Sequence, residues 1–222
     1  MIAVALTLFF KTLFILDTLH TSQLNWLNKY RLFFCFRENI LAENNPPLLP
    51  LQNMAERHQA LTPSIANSYL EAARVCLDRH HISPKEFTLE DDRVEAITRV
   101  EWVATDDRTQ KAWDRDDATE VGACALAIAA VELSRNMFAI RRAEKPTGAD
   151  YYISLTNEDA EDLENCLRLE VSGTRSDKAE VRKRLPIKID QTRRGNSNLP
   201  AIVAIVGFQV RLILLHTVDE AS

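Results

Sequence analysis

The sequence lacks the features that assign many chains to a class at once. It has no C-x-x-C pair, no internal repeat and no low-complexity tract. Metal sites and redox pairs built from cysteines usually place two of them close together in sequence. The widely separated cysteines here are therefore expected to be buried free thiols, as in a reducing cytoplasm, where we place the protein. They are Cys35, Cys76, Cys124 and Cys166.

A strong charge of one sign is also lacking. The formal net charge is −5, from 27 Lys and Arg against 32 Asp and Glu in 222 residues. So small a net charge creates no global field that attracts nucleic acid, and any such contact requires a local basic patch. The hydrophobic fraction of 46% is ordinary for globular proteins and argues against wholesale disorder. The length accommodates one compact domain with an extension.

A long uninterrupted apolar run is lacking as well. Lys11 interrupts the apolar residues 1–16 and Asp17 follows them, whereas a bilayer span needs about 20 apolar residues. No clear secretory signal is present either, because basic residues do not precede the run and no cleavage site follows it. Residues 1–53 form a membrane anchor that uses residues 1–16, an appended helical segment, or an upstream translation that the native protein lacks. We favour the last interpretation, because Met54 opens a polar stretch suited to a chain start.

Residues 54–116 are expected to form a mixed, partly helical cover. Thr62 can cap a helix, Pro63 suits its first position, and apolar side chains then recur at helical spacing. The sequence EFTLE indicates a short strand. VEAITRVEWVA alternates as a strand does, but a helix fits it equally well. The charged residues from Asp106 to Asp117 indicate a solvated connection.

A long helix that begins at Asp117 is the clearest local signal. Asp117 and Glu120 have the spacing of a capping box, in which two side chains serve unpaired backbone N–H groups at a helix start. Alanines and Gly122 fill the helix, so a sheet can approach its axis closely. Glu120 is either a capping residue or part of a functional site.

Three strands are predicted after this helix. FAIRR and DYYIS form a hairpin or an adjacent pair of strands, joined by a turn that contains Pro146 and Gly148, and LRLEV is a third strand that ends at Gly173. The segment before LRLEV is acidic, and we expect it to be exposed and to repel phosphate. Its carboxylates are Glu158, Asp159, Glu161, Asp162 and Glu164.

A basic helix and two more strands complete the chain. Asp177 and Glu180 repeat the capping-box spacing, Pro186 is expected to kink or split the helix, and Gly195 ends it. AIVAIVG indicates a strand buried on both faces, and FQVRLILLHTV a strand at or near a sheet edge. The basic helix lines a nucleic-acid backbone or forms a solvated face. Its candidates for nucleic-acid contact are Lys178, Arg182, Lys183, Arg193 and Arg194.

Asp150 and Glu170 belong to neighbouring strands, so their carboxylates can meet. Unit charges about 4 Å apart repel by roughly 4 kcal/mol at an effective dielectric of about 20. A divalent cation removes this repulsion, and Mg²⁺ prefers a few carboxylates with waters. Such an ion activates a bound water and polarises a phosphate oxygen. The interpretation without a site is that Asp150 starts a strand after a turn and that Glu170 pairs with Arg168 or Arg175.

The order helix, three strands, helix, strand resembles the PD-(D/E)XK nuclease-like superfamily over residues 117–218. Asp150 resembles its first motif aspartate, Glu170 the acid of its E-x-K motif, and Glu120 the acid that many members place in the leading helix. Gln191 stands where some members have a polar residue that faces the site. The segments ATE, TGADYY and LEVSG also resemble a bacterial family to which no activity is assigned.

The resemblance implies an α/β protein with a restriction-endonuclease-like αβββαβ core in residues 117–222 and a helical N-terminal extension. It also implies a Mg²⁺-dependent nuclease that acts on DNA, with Mn²⁺ as a second possible ion. Asp150, Glu170 and Glu120 would then be metal ligands.

Ser172 departs from the motif, because the superfamily has at this position a lysine that positions or activates the attacking water. A serine hydroxyl carries no charge and cannot take that part. Some members recruit the cation from elsewhere, so Lys188 or Lys145 is expected to supply it, and Gln191 is the third catalytic candidate. The alternative is a catalytically inactive copy of the fold with a binding or regulatory role.

Overall fold

A computed structural model describes residues 45–156, 163 and 165–218 of the protein. Residues 1–44, on which the anchor and upstream-translation interpretations depend, and the carboxylates of the acidic segment lie outside them. The described residues all belong to one compact unit, Asn45–Ser222. Within them, no helix has the length and apolar character needed to cross a membrane.

The described residues form a mixed α/β fold. The helices are α1 (Met54–Arg57), α2 (Pro63–Asp78), α3 (Asp107–Ala112), α4 (Arg115–Arg135) and α5 (Lys178–Arg194), with a 3-10 turn at Lys145–Thr147. The strands are β1 (Lys85–Asp91), β2 (Val94–Val100), β3 (Phe138–Arg142), β4 (Tyr151–Ser154), β5 (Leu167–Thr174), β6 (Ala201–Gly207) and β7 (Leu212–Val218). The predicted order of helix, three strands, helix and two strands is confirmed from α4 onwards.

All seven strands form one mixed sheet in the order β2-β1-β7-β6-β5-β4-β3. The pairs β1–β7 and β5–β6 are parallel, and the other neighbours are antiparallel. VEAITRV, for which strand and helix fitted equally, is strand β2. The prediction that β7 lies at or near an edge is wrong, because β7 is an interior strand that pairs with both β1 and β6 and stands third in the order of seven. Strand β6 is buried along its whole length, as predicted.

Helix α4 begins earlier than the sequence predicts. The Asp114 side chain accepts hydrogen bonds from the backbone N–H groups of Asp116 and Asp117, so Asp114 is the N-cap. The predicted cap at Asp117 is wrong because Asp114 offers the same side-chain chemistry three residues earlier. Glu120 therefore stands beyond the capping position, and its side chain is exposed.

Two glycines let α4 approach its neighbours closely. A Cβ on Gly122 would lie 2.7 Å from the backbone nitrogen of Ala73 in α2, so Gly122 admits a helix rather than the sheet. On the other side, a Cβ on Gly173 of β5 would overlap the carbonyl oxygen of Thr119. The sheet therefore approaches α4 closely at Gly173 of β5. This contact fixes the position of β5 relative to the helix.

Helix α5 covers the opposite face of the sheet. Ile202 and Ala204 of β6 join the cluster around α4, whereas Val203 between them packs with Val181 of α5. This alternation follows from the period of two in a strand. Pro186 lies inside α5, which continues to Arg194, so the predicted split does not occur.

Residues 47–60 cover part of both sheet edges. The backbone N–H of Leu49 donates to the carbonyl of Arg99 in β2 at 2.8 Å, and that of Ala60 donates to the carbonyl of Ala139 in β3 at 3.1 Å. Covered edges limit pairing with strands of other chains. This segment includes residues that we grouped with the extension, and the buried Leu49 shows that they pack with the core.

Arg182 and Glu90 tie α5 to strand β1. Both terminal nitrogens of Arg182 donate to the Glu90 carboxylate, which is buried, and the Nη1–Oε1 distance is 2.5 Å. The interaction raises the pKa of Arg182. This two-bonded pair thus fixes the first half of the helix over the sheet.

We expect Arg182→Met to lower the free energy of unfolding by about 1–3 kcal/mol, because it leaves a buried carboxylate without its donor. Urea denaturation followed by circular dichroism measures the change. Lys183→Met is the matched control, since Lys183 is exposed on the same helix. Equal stabilities of the two variants would contradict this role for Arg182.

Candidate functional site

Asp150 lies where strand β4 stops pairing with β5. Its backbone N–H donates to the carbonyl of Leu169 at 2.8 Å, and its Oδ2 accepts from the backbone N–H of Val171 at 2.9 Å. The last backbone pair of these strands is Tyr151 with Leu169. From Val171 onwards, the partner of β5 within the described residues is β6. The Asp150 carboxylate therefore lies at a notch in the sheet, which we define as the place beside Val171 where β5 no longer pairs with β4.

Glu170 lies on β5 beside Asp150's partner residues and faces helix α5. Its side chain is only 4% exposed, and its Oε1 accepts from Lys188 Nζ at 2.7 Å and from Gln191 Nε2 at 3.0 Å. Lys188 also donates to Gln191 Oε1 at 3.0 Å. Residues three apart share one side of a helix, so this spacing in α5 places both polar side chains on Glu170.

The alternative pairing of Glu170 with Arg168 or Arg175 is wrong. Arg168 donates to the backbone carbonyls of Thr147 and Leu199, and Arg175 pairs with an aspartate at the start of α4. The cation on Glu170 is Lys188, as the motif comparison allowed.

The other side chains on this face of β5 are polar as well. Alternate residues of a strand share one face, so Arg168, Glu170 and Ser172 all point towards α5. The Oγ of Ser172 accepts from Arg184 Nη1 at 3.3 Å. Ser172 thus has a cation near it, although its hydroxyl carries no charge.

Burial and the charge of Asp150 both act on the Glu170 carboxylate. Burial raises the pKa of Glu170, and the charge of Asp150 raises it further, against the opposite effect of Lys188 and Gln191. Burial, followed by the charge of Asp150, also raises the pKa of the nearby Cys124 thiol to about 12. Cys124 is a free cysteine, and its thiol is therefore protonated at neutral pH.

Arg142 is a residue of the site that the sequence analysis missed. It ends strand β3, pairs with Tyr151 in the hairpin register, and places Nη2 3.0 Å from Asp150 Oδ1. Its guanidinium carbon lies 4.8 Å from the centre of the Tyr151 ring. The available signal was the hairpin itself, because an arginine at the end of FAIRR must stand opposite the start of DYYIS.

Glu120 and Lys145 are less closely involved. Glu120 is exposed one turn before Cys124, and its charge is among the causes of the raised pKa of Cys124. Lys145 is exposed in the 3-10 turn, and no hydrogen bond or ion pair among the described residues joins it to Asp150 or Glu170. The described part of the chain contains no group of three or more His, Cys, Asp or Glu arranged to hold a metal.

The basic residues proposed for nucleic-acid contact differ in their partners. Arg182 is engaged by Glu90. Arg194 pairs with Asp190 at 2.7 Å, and Lys183 approaches Glu180 at 3.8 Å. All five of these basic residues are exposed on the helix, Arg182 included.

The raised pKa of Glu170 leads to a prediction with a definite sign. Between the ordinary pKa of 4.5 and the higher value in the folded state, the folded protein binds more protons than the unfolded chain. Stability due to Glu170 is therefore present at low pH and is lost as pH rises through the folded-state pKa.

We expect Glu170→Gln, which cannot ionise, to gain stability relative to the unsubstituted protein as pH rises from 4.5 through this window. Urea denaturation over a pH series measures the difference between the two free energies of unfolding. A difference that stays constant, or that moves in favour of the unsubstituted protein, would show that the charged Glu170 is a stabilising ion-pair partner instead.

Comparison with known proteins assigns no function to the site. No protein-family model, no curated protein and no solved structure matches the chain.

Proposed function

We propose that Asp150, Glu170 and Lys188 form the centre of a Mg²⁺-dependent nuclease that acts on DNA in the cytoplasm. The observation that carries the proposal is the 2.7 Å contact between Lys188 and Glu170. Through this contact, Lys188 of helix α5 provides the positive charge that Ser172 on strand β5 lacks. The order of elements from α4 to β6 supports the assignment of this core to the restriction-endonuclease-like class.

The chemistry of the donor set is compatible with Mg²⁺, which prefers oxygen ligands and keeps several waters. Asp150 and Glu170 contribute carboxylates whose charges disfavour each other, since Asp150 raises the pKa of Glu170. The N–H of Val171 points to Asp150, and the carbonyl of a strand residue points to the same edge as its N–H. The Val171 carbonyl is thus a further oxygen directed to the notch.

A bound Mg²⁺ would lower the pKa of a coordinated water and polarise a phosphate oxygen. The contribution of the chain is to fix positive charge beside that position. Lys188 is held by Glu170 and Gln191 together, so its ammonium group is oriented before a substrate arrives. Such fixed charge stabilises negative charge that develops on the phosphate.

We expect supercoiled plasmid to be nicked in the presence of Mg²⁺ or Mn²⁺ and to remain intact in EDTA. Glu170→Gln should lower the rate by about 10²-fold or more, because it removes a charged ligand. Agarose-gel quantification of nicked plasmid measures the rate. A rate that Glu170→Gln leaves unchanged would reject the proposed roles, and a protein that neither nicks DNA nor binds Mg²⁺ would favour the inactive-copy alternative.

A second comparison identifies the cation. We expect Lys188→Met to lower the nicking rate by about 10²-fold, because it removes the fixed charge beside Glu170. Lys145→Met should leave the rate within about twofold, since Lys145 is exposed in the turn before Asp150. Circular dichroism confirms folding of both variants, and the reverse order of rates would reassign the cation to Lys145.

A further inference from the structure

Each carboxylate of the site has a cation of its own. Lys188 contacts Glu170 at 2.7 Å, and Arg142 contacts Asp150 at 3.0 Å. The side chains therefore balance the negative charge of the site from within the chain. The two cations come from different elements, helix α5 and the end of strand β3.

The two cations differ in how firmly they are held. The side chain of Lys188 is 24% exposed and is shared between Glu170 and Gln191. The side chain of Arg142 is 56% exposed and reaches Asp150 through one nitrogen, Nη2. Of the two, Arg142 is the cation that can leave its carboxylate at small cost, because exposed ion pairs contribute little to stability.

The guanidinium of Arg142 also packs on a rigid aromatic ring. Its guanidinium lies over the ring of Tyr151, which is buried and whose hydroxyl is hydrogen-bonded to that of Tyr69. A guanidinium has five N–H donors and matches a phosphate with two parallel hydrogen bonds. The contact with Asp150 uses one of these donors.

We propose that Arg142 is the internal counter-ion of Asp150, that a divalent cation displaces it, and that the displaced guanidinium then binds a DNA phosphate. The inference rests on the proposed function, because it takes the Asp150–Glu170 site as the place where the cation and the DNA meet. It adds a residue that contacts the substrate and a reason for cation-dependent binding of DNA.

The physical basis is competition for one oxygen. Oδ2 of Asp150 accepts from the Val171 N–H and Oδ1 accepts from Arg142, so an incoming cation that binds Oδ1 competes with Arg142 for that oxygen. Cations that compete for one carboxylate oxygen weaken each other's binding. Because coupling between ligands is reciprocal, release of Arg142 towards a phosphate must also make the cation bind more tightly when DNA is present.

Isothermal titration of the full chain with MgCl₂ tests the first step. We expect Arg142→Gln to bind Mg²⁺ about fivefold more tightly than the unsubstituted protein, the ratio that corresponds to loss of an exposed ion pair. Arg142→Lys keeps the charge and should stay within about twofold. Arg108→Gln is the matched control, because it removes the same charge from an exposed position of α3. An affinity of Arg142→Gln equal to or weaker than that of the unsubstituted protein overturns the inference.

Fluorescence anisotropy with a labelled duplex oligonucleotide tests the second step, in EDTA and with Ca²⁺ in place of Mg²⁺. We expect Arg142→Gln to weaken DNA binding about tenfold with Ca²⁺, through loss of charge-assisted hydrogen bonds, and to leave it within about twofold in EDTA. A loss of the same size in both buffers, or in neither, overturns the transfer to phosphate.

These measurements separate the inference from the proposed function. A protein that binds Mg²⁺ with the predicted order of affinities but does not nick plasmid refutes nuclease activity and retains the counter-ion role of Arg142. A protein that nicks plasmid with unchanged Mg²⁺ affinity in Arg142→Gln retains the nuclease and refutes the counter-ion role.

Discussion

The burial of a carboxylate at Glu170 is the constraint on which the site depends. A charged group removed from water is costly unless other groups pair with it, and the raised pKa of Glu170 shows that this cost is only partly offset. Lys188 and Gln191 offset it from helix α5, and this requires the helix to lie over β5 in one rotational setting. Carboxyl groups with shifted pKa values cluster at functional sites, which is why Glu170 is the centre of the candidate site.

The rest of the fold sets the position of that helix and strand. Strand β5 is fixed against α4 where Gly173 admits the backbone of the helix. Helix α5 is fixed by Val181 in the core and by Arg182 on Glu90. None of these contacts involves the Glu170 side chain. The packing that orients the site is therefore not weakened by the cost of burying the charge of Glu170. Stable packing can thereby support a carboxylate that opposes folding at neutral pH.

Local secondary structure could be predicted from the sequence more successfully than the exact start of a helix or the place of a strand in the sheet. The strands and helices after residue 116 follow from periodicity and caps, which are local properties. The helix start was misplaced because Asp114 and Asp117 are chemically equivalent caps, and their choice depends on how far α4 extends over the core. The interior position of β7 does not follow from the sequence because β1, its parallel partner, is more than a hundred residues distant, and such pairing leaves no local pattern.

The sequence by itself singled out Asp150 and Glu170, since it places them on adjacent strands, and it showed that Ser172, not a lysine, follows Glu170 by two residues. Only the tertiary structure decided between Lys188 and Lys145 and brought Arg142 to Asp150. The physical reason is that charge attraction acts through space. Which cation reaches a buried carboxylate depends on the rotational setting of a helix and on hairpin register, and both are fixed by packing between elements far apart in the chain.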